Sequence, residues 1–263
     1  DILVKGLGRL EYRGYDSAGV AIVNGGLRVA KTAGKVRDLE TRLAADRPAG
    51  SLGIGHTRWA THGGPSDANA HPHATERVAL VHNGIIENFG ELREELKAKG
   101  YSFTSQTDSE VCAQLITHYL RDEKLPPKDA VRKALTRMRG AFAFAIIFSG
   151  ENDLLVAARR GSPLAIGRGD GEMFVGSDAY ALAPFTNRVT YLEEGDYAII
   201  TRAGFDIYDE HGRLANRAET ISTASENMVD KDGHRHFMAK EIHEQPEVIA
   251  HTLSRYIDAA TGE

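Results

Sequence analysis

Two motif segments and one lone carboxylate have residue types suited to binding a small charged molecule and attacking a carbonyl. His56-Thr57-Arg58-Trp59-Ala60-Thr61-His62-Gly63 leaves an apolar run and enters a stretch rich in Gly, Pro and Asn, the kind of connection on which function tends to lie. Arg58 offers a planar guanidinium fork that matches a carboxylate, and Thr61 and His62 add hydrogen-bonding groups beside it. His82-Asn83-Gly84-Ile85-Ile86-Glu87-Asn88 follows a second apolar run. The Asn83 amide next to the Gly84 backbone N–H could form an oxyanion hole, although Asn-Gly is also a common turn signal. Asp108 falls in the first turn of a helix, where it either compensates the helix dipole, worth about 0.5 kcal/mol, or holds an ammonium group. An arginine for a carboxylate, an aspartate for an ammonium and an amide-lined oxyanion site together describe an amino acid whose side-chain carbonyl is attacked. Glutamine fits that description.

Other candidates carry less. His71-Pro72-His73 could open a metal site, but no carboxylate or thiolate stands nearby at ligand spacing. These two are expected to be loop histidines in hydrogen-bond networks, and no metal or cofactor is expected. Cys112, the only cysteine, falls on the apolar stripe of the helix that starts at Thr107, which reads as a buried inert thiol and not a nucleophile. Gly6-Leu7-Gly8 lacks a third glycine and a preceding strand, and Gly34-Lys35 lacks the upstream glycine and hydroxyl residue of a phosphate loop. No Gly-x-Ser-x-Gly elbow occurs.

The elements that must position these residues are legible from periodicity. Apolar runs predict strands at Gly19 to Val23, Leu27 to Lys31, Leu52 to His56 and Val78 to Val81, and Ala141 to Phe148 reads as a strand buried on both faces. A helix carrying Phe89, Leu92 and Leu96 stops at Gly100. Thr107 and Glu110 form a capping-box pattern at the start of the next helix, and a third runs from about Lys128 to Met138. Short strands follow, joined by turn signals at Gly150-Glu151-Asn152-Asp153, Gly169-Asp170-Gly171 and Asp209-Glu210-His211-Gly212. Strands, then helices, then strands favour antiparallel α+β packing. The first residues follow a helical pattern through Leu3, Leu7 and Leu10. The polar stretch Asn216 to Gly233 reads as an exposed connection to a last helix with Ile242, Val248, Ile249 and Leu253, which Pro246 starts or kinks.

Composition narrows the class. With 263 residues and 41% hydrophobic content the chain can bury a full core. Lys+Arg of 32 against Asp+Glu of 37 leaves a net charge of -5, without the basic excess that nucleic-acid backbones attract. No run is long enough to span a bilayer, and one cysteine fits a reducing compartment such as the cytoplasm.

Tyr12-Arg13-Gly14-Tyr15-Asp16-Ser17-Ala18-Gly19, the Arg58 segment running on to Asn69-Ala70-His71-Pro72-His73, the His82 to Asn88 segment and Thr107-Asp108-Ser109-Glu110 resemble, in order, the glutaminase domain of class II glutamine amidotransferases. Within that class they look like the branch that makes glucosamine 6-phosphate, and Lys240-Glu241-Ile242-His243-Glu244-Gln245-Pro246 resembles its interdomain segment. The resemblance implies an N-terminal-nucleophile hydrolase fold, a four-layer αββα sandwich with two antiparallel sheets. It implies that Arg58 holds the glutamine α-carboxylate, that Thr61 and His62 line the same pocket, that Asp108 binds the α-ammonium and that Asn83 and Gly84 stabilise the oxyanion. Trp59 belongs either to a loop closing over substrate or to the core, and Arg13 either to the surroundings of the nucleophile or to the surface.

The family nucleophile is a cysteine at the mature N-terminus, on a strand that is expected to precede Asp1; without it the chain is expected to be inactive. Residues 1–233 are expected to form the glutaminase domain and 234–263 the segment leading to a sugar-isomerase domain with a fructose 6-phosphate site, in a homodimer. A glutamine- or glutamate-binding module without catalysis, and the glutaminase domain of another class II amidotransferase, are the alternatives.

Overall fold

The apolar runs near the start do form strands, the first two reaching past both expected ends and the next two past their C-terminal ends only. The computed structural model describes residues 2–11, 14, 16–60, 62–222 and 233–253. Helix α1 (Ile2–Leu10) leads into the hairpin β1 (Ser17–Asn24) and β2 (Gly26–Ala33); α2 (Val36–Ala45) and β3 (Leu52–Arg58) follow. The short β4 (His73–Ala74) precedes β5 (Val78–Ile86), and three helices come next: α3 (Phe89–Ala98), α4 (Asp108–Arg121) and α5 (Pro127–Arg137). The chain then forms β6 (Gly140–Phe148), β7 (Leu155–Arg160), β8 (Ala165–Arg168), β9 (Met173–Gly176), α6 (Ala179–Leu182) and β10 (Arg188–Tyr191). It continues through β11 (Tyr197–Thr201), β12 (Gly204–Tyr208), β13 (Leu214–Ala215) and β14 (Glu219–Ile221) to α7 (Phe237–Leu253).

All strand pairings are antiparallel. One sheet has seven strands in the order β13-β12-β11-β7-β6-β5-β4. Strand β6, an interior strand of this sheet, is buried on both faces. Side chains alternate across a strand, so Phe142, Phe144, Ile146 and Phe148 join a core with Leu92, Leu96, Leu115 and Leu135 from the helices α3, α4 and α5. Ala143 and Ile147 point the other way, into clusters with Ile166 of β8 and with Ala21 and Ile54 of β1 and β3. That second face is covered by two separate pieces, β2-β1-β3 and β14-β10-β8-β9. Helices α1 and α2 pack outside the first piece through Leu7, Val36, Leu39 and Leu43, and α6 packs outside the second through Leu182. The result is the four-layer αββα sandwich, with its second sheet divided between β3 and β9.

One local alternative is excluded and two expectations are corrected. The Asn83-Gly84 pair is no turn: it lies inside β5, paired with Ala143 and Phe142 of β6. The Thr107 hydroxyl caps α4 by accepting from Glu110 N at 3.3 Å, but the Glu110 carboxylate does not return the bond. It accepts instead from the backbone and hydroxyls of Thr104 and Ser105 at 2.7 to 2.9 Å, because a nearly buried carboxylate gains more from four donors than from one. Burial works against its charge, and those bonds outweigh it, holding the pKa below the usual value. The polar stretch after Asn216 is not all irregular, since Glu219–Ile221 forms β14 on the edge of β10; residues 223–232 lie outside the described set.

Residues 1–224 and 225–263 form two compact units. In the second, Pro246 falls inside α7. No helix among the described residues is long and apolar enough to cross a membrane.

Candidate active site

A cavity of about 1210 Å³ lies where the second sheet is divided, and its wall includes residues of both β3 and β9. Arg58, His62, Asn83, Gly84 and Asp108, spread over 51 positions from 58 to 108, all line it. Trp59 lines it too and is 62% exposed, so it is not a core tryptophan. Arg13 and Thr61 lie outside the described residues.

Arg58 ends β3 and is only 4% exposed. One guanidinium nitrogen, Nη2, donates to the carbonyls of His62 and Gly63, the latter at 3.0 Å. The other, Nη1, is 3.8 Å from Asp16 Oδ1 and has no hydrogen-bond acceptor among the described residues. A buried donor of this kind is costly unless it is given an acceptor, and a carboxylate in the cavity would supply one. Asp16 also accepts from Ala60 N, fixing the chain just after Trp59. Asn69 ties this loop to the turn before α4: its Nδ2 donates to Gly64 O at 2.9 Å, and its Oδ1 accepts from Gln106 N at 3.0 Å.

Asn83 faces the cavity from β5 with its Oδ1 engaged by His56 Nε2 at 2.8 Å. With the acceptor engaged, the amide has donors to offer. Gly84 follows at φ +132, a region that L residues with a side chain rarely adopt.

Asp108, 4% exposed at the first turn of α4, accepts from Ile86 N at 2.8 Å and from Ser109 Oγ at 3.3 Å. Two bonds leave a carboxylate with lone pairs for a cation. Behind it, His82 stacks on Phe144 with ring centres 4.7 Å apart and meets Ser109 Oγ through Nδ1 at 2.9 Å. Burial drives the His82 pKa down to about 4 against the opposing pull of Asp108, so the ring is neutral near pH 7.

The remaining histidines divide. His73 does belong to a hydrogen-bond network, with Nε2 2.9 Å from Thr107 Oγ1. His71 does not: neither ring nitrogen has a partner among the described residues, and the ring is held by aromatic contact with His56 and His73. Its carbonyl approaches β1 so closely that a Cβ on Gly19 would lie 2.2 Å from it, which accounts for the glycine that ends the Tyr12 to Gly19 motif. Among the described residues no group of three or more His, Cys, Asp or Glu side chains is arranged to hold a metal ion.

Cys112 is fully buried, its Sγ directed at Asp108 O at 3.6 Å. Burial, with the Asp108 charge adding to it, raises the thiol pKa well above the usual value, so no thiolate forms there. Cys112→Ser in the full-length protein is therefore expected to leave glutamine turnover unchanged while lowering the melting temperature, because a hydroxyl replaces a thiol in an apolar core. Loss of turnover with unchanged melting would make this residue the nucleophile.

Sequence reasoning missed three residues that shape the site: Asp16, His56 and Asn69. Signals for them existed. His56 and Arg58 are two positions apart on one strand and so share a face, and Asp16 and Asn69 both lie within the motifs.

The family described as "Glutamine amidotransferase domain" matches residues 56–184. The glutamine–fructose-6-phosphate aminotransferase (isomerizing) of Bradyrhizobium diazoefficiens is 58% identical over 261 residues, 98% of this chain and 43% of the relative. Its counterpart from Mesorhizobium japonicum is 56% identical over 262 residues, 99% of this chain and 43% of the relative. The chain thus spans less than half the length of these curated relatives. Among solved structures, glutamine phosphoribosylpyrophosphate amidotransferase from B. subtilis superposes with a TM-score of 0.67 at 28% identity, over 81% of this chain and 47% of that one. A glutamine aminotransferase class-II domain protein from Silicibacter pomeroyi, at 18% identity and a TM-score of 0.53 over 74% of this chain and 96% of that one, shares the fold. Residues 56–184 belong to the glutamine amidotransferase domain family, and the chain has the N-terminal-nucleophile hydrolase fold.

Proposed function

We propose that the cavity binds glutamine and that its side-chain amide is hydrolysed there to glutamate and ammonia. The observation that carries this is the convergence of Arg58, Asn83, Gly84 and Asp108, from a strand end, the inside of a second strand and a helix start, on one cavity wall. In this reading Arg58 Nη1 takes the α-carboxylate, Asp108 takes the α-ammonium, and His62 lines the space between. The wall near Asn83 and Gly84 receives the amide oxygen. Trp59, exposed on the rim, closes over bound substrate, and Arg13 steadies the nucleophile.

The nucleophile is proposed to be a cysteine on a strand N-terminal to these residues, seated between β3 and β9. Each is the outer strand of its piece at the cavity, and an unpaired edge is a template for a further strand. Attack of the thiolate on the amide carbon gives a tetrahedral oxyanion, its charge met by the Asn83 amide and the Gly84 backbone. Collapse breaks the C–N bond, releases ammonia with the proton taken from the thiol, and leaves a γ-glutamyl thioester that water hydrolyses.

In the full-length protein the ammonia is proposed to convert fructose 6-phosphate to glucosamine 6-phosphate at a sugar-isomerase domain beyond α7. The names and lengths of the relatives support this. So do the exposed Met238, Ile242, Ile249 and Leu253 of α7, an apolar set suited to being covered. A cytoplasmic homodimer completes the proposal.

Arg58→Lys and Asp108→Asn test the substrate pose. Each is expected to raise the glutamine KM of the full-length protein by about 10- to 100-fold, since one lysine ammonium cannot reproduce a guanidinium that binds the His62 and Gly63 carbonyls through one nitrogen and the carboxylate through the other, and a charge-assisted bond contributes about 1.5–3 kcal/mol. Steady-state glutamate release measures it; unchanged KM values in both would remove these residues from the glutamine site. Dependence of turnover on fructose 6-phosphate tests the acceptor.

A further inference from the structure

We propose that His56 is a positioning residue for glutamine hydrolysis, its Nε2–H fixing the Asn83 amide so that the NH₂ group faces the cavity. The proposal rests on the reading of Asn83 as an oxyanion donor.

An asparagine amide has nearly the same shape either way round, and its terminal torsion is broad and roughly two-fold. Packing therefore selects poorly between an Asn83 that presents NH₂ to the cavity and one that presents its carbonyl oxygen. The two are opposite in effect: the first stabilises a developing oxyanion, the second repels it. A hydrogen bond to Oδ1 decides between them, and the 2.8 Å contact with His56 Nε2 provides it. The bond crosses between the two sheets, from β3 to β5, so neither strand could set the orientation alone.

His56 is itself held in place. Its ring centre is 4.5 Å from that of His71, which lies 4.8 Å from His73, and His73 Nε2 is 2.9 Å from Thr107 Oγ1 at the cap of α4. Such a ladder is stable only if adjacent imidazoles are not charged together. Burial keeps His71 and His73 well below the ordinary histidine pKa and lowers that of His56 as well. Because Asn83 Oδ1 can only accept, a neutral His56 must carry its proton on Nε2. Its Nδ1 has no partner among the described residues, which fits a bare ring nitrogen there.

The test is a set of full-length variants assayed for glutamine kcat and KM: H56F, H56Q, N83A and the double variant H56F/N83A. H56F keeps a planar ring without the donor and is expected to lower kcat about tenfold or more with KM changed less than about threefold, within the ~10²-fold that a lost oxyanion donor costs. H56Q, which can still donate to Oδ1, is expected to recover most of kcat. In the N83A background H56F is expected to cost nothing further, as two residues acting through one contact are not additive. A full additional loss in that background, an effect on KM alone, or equal kcat for H56Q and H56F would overturn the role of His56. If H56F does not fold, H56A against H56A/N83A, which also lacks the donor, carries the same comparison. A silent N83A overturns the oxyanion reading, and His56 with it.

Discussion

Replacing Asn83 with alanine is expected to lower kcat for glutamine hydrolysis by about 10²- to 10³-fold while raising KM far less. The side chain lies on a cavity wall with its oxygen already bound by His56, so in the proposed reaction it contributes a donor aimed into the cavity. Such a donor does little for the planar ground-state amide and most for the tetrahedral oxyanion, which is why the loss belongs in kcat. The variant also removes a hydrogen bond from His56, a neutral partner that is only half-buried, so the cost to folding is expected to be about 1 kcal/mol. Stopped and steady-state glutamate release, with a thermal melt as control, measures all three quantities. A pure KM effect would place Asn83 in ground-state binding.

Gly84→Ala is expected to be damaging for a different reason, which lies in the backbone. At φ +132 a side chain is strained before any contact is considered, and the new Cβ would lie 2.1 Å from Ala141 O and 2.9 Å from Phe142 Cα. Those atoms belong to β6, which is paired on one side with β5 and on the other with β7. The clash must therefore be relieved by moving β5, the strand that carries Asn83. Overpacking and backbone strain together are expected to destabilise the domain by about 3 kcal/mol or more, a drop in melting temperature of roughly 6–12 °C for a domain of this size. Turnover should fall further than the folded fraction does. A variant that melts with the parent and keeps kcat would show that β5 has room to spare.

Much of the frame was legible because burial leaves a local imprint. Ala141 to Phe148 could be read as doubly buried since alternate side chains enter opposite clusters, and Thr107 marked the start of α4 since a hydroxyl there meets an orphan backbone N–H. Where a local signal had two outlets, the reading failed. Asn83-Gly84 carries turn chemistry, yet nine residues of pairing with β6 override it. Glu110 fits a capping box, yet Thr104 and Ser105 offer more donors. His71 looks like a polar loop residue, yet it is enclosed between two other imidazoles.

Residue types and their order were enough to propose a chemistry: a fork suited to a carboxylate, a carboxylate suited to an ammonium, an amide beside a glycine, and a thiol on an apolar helical stripe. Those are properties of single side chains and short-range periodicity, and no folding is needed to state them. Which way the Asn83 amide faces, that Arg58 keeps one buried nitrogen without an acceptor, and that the second sheet opens between β3 and β9 all depend on atoms from segments tens of residues apart. Long-range packing brings those atoms within 3 to 4 Å of one another, and hydrogen-bond direction and desolvation then act on the juxtaposition. That step has no counterpart in the linear spacing of the residues.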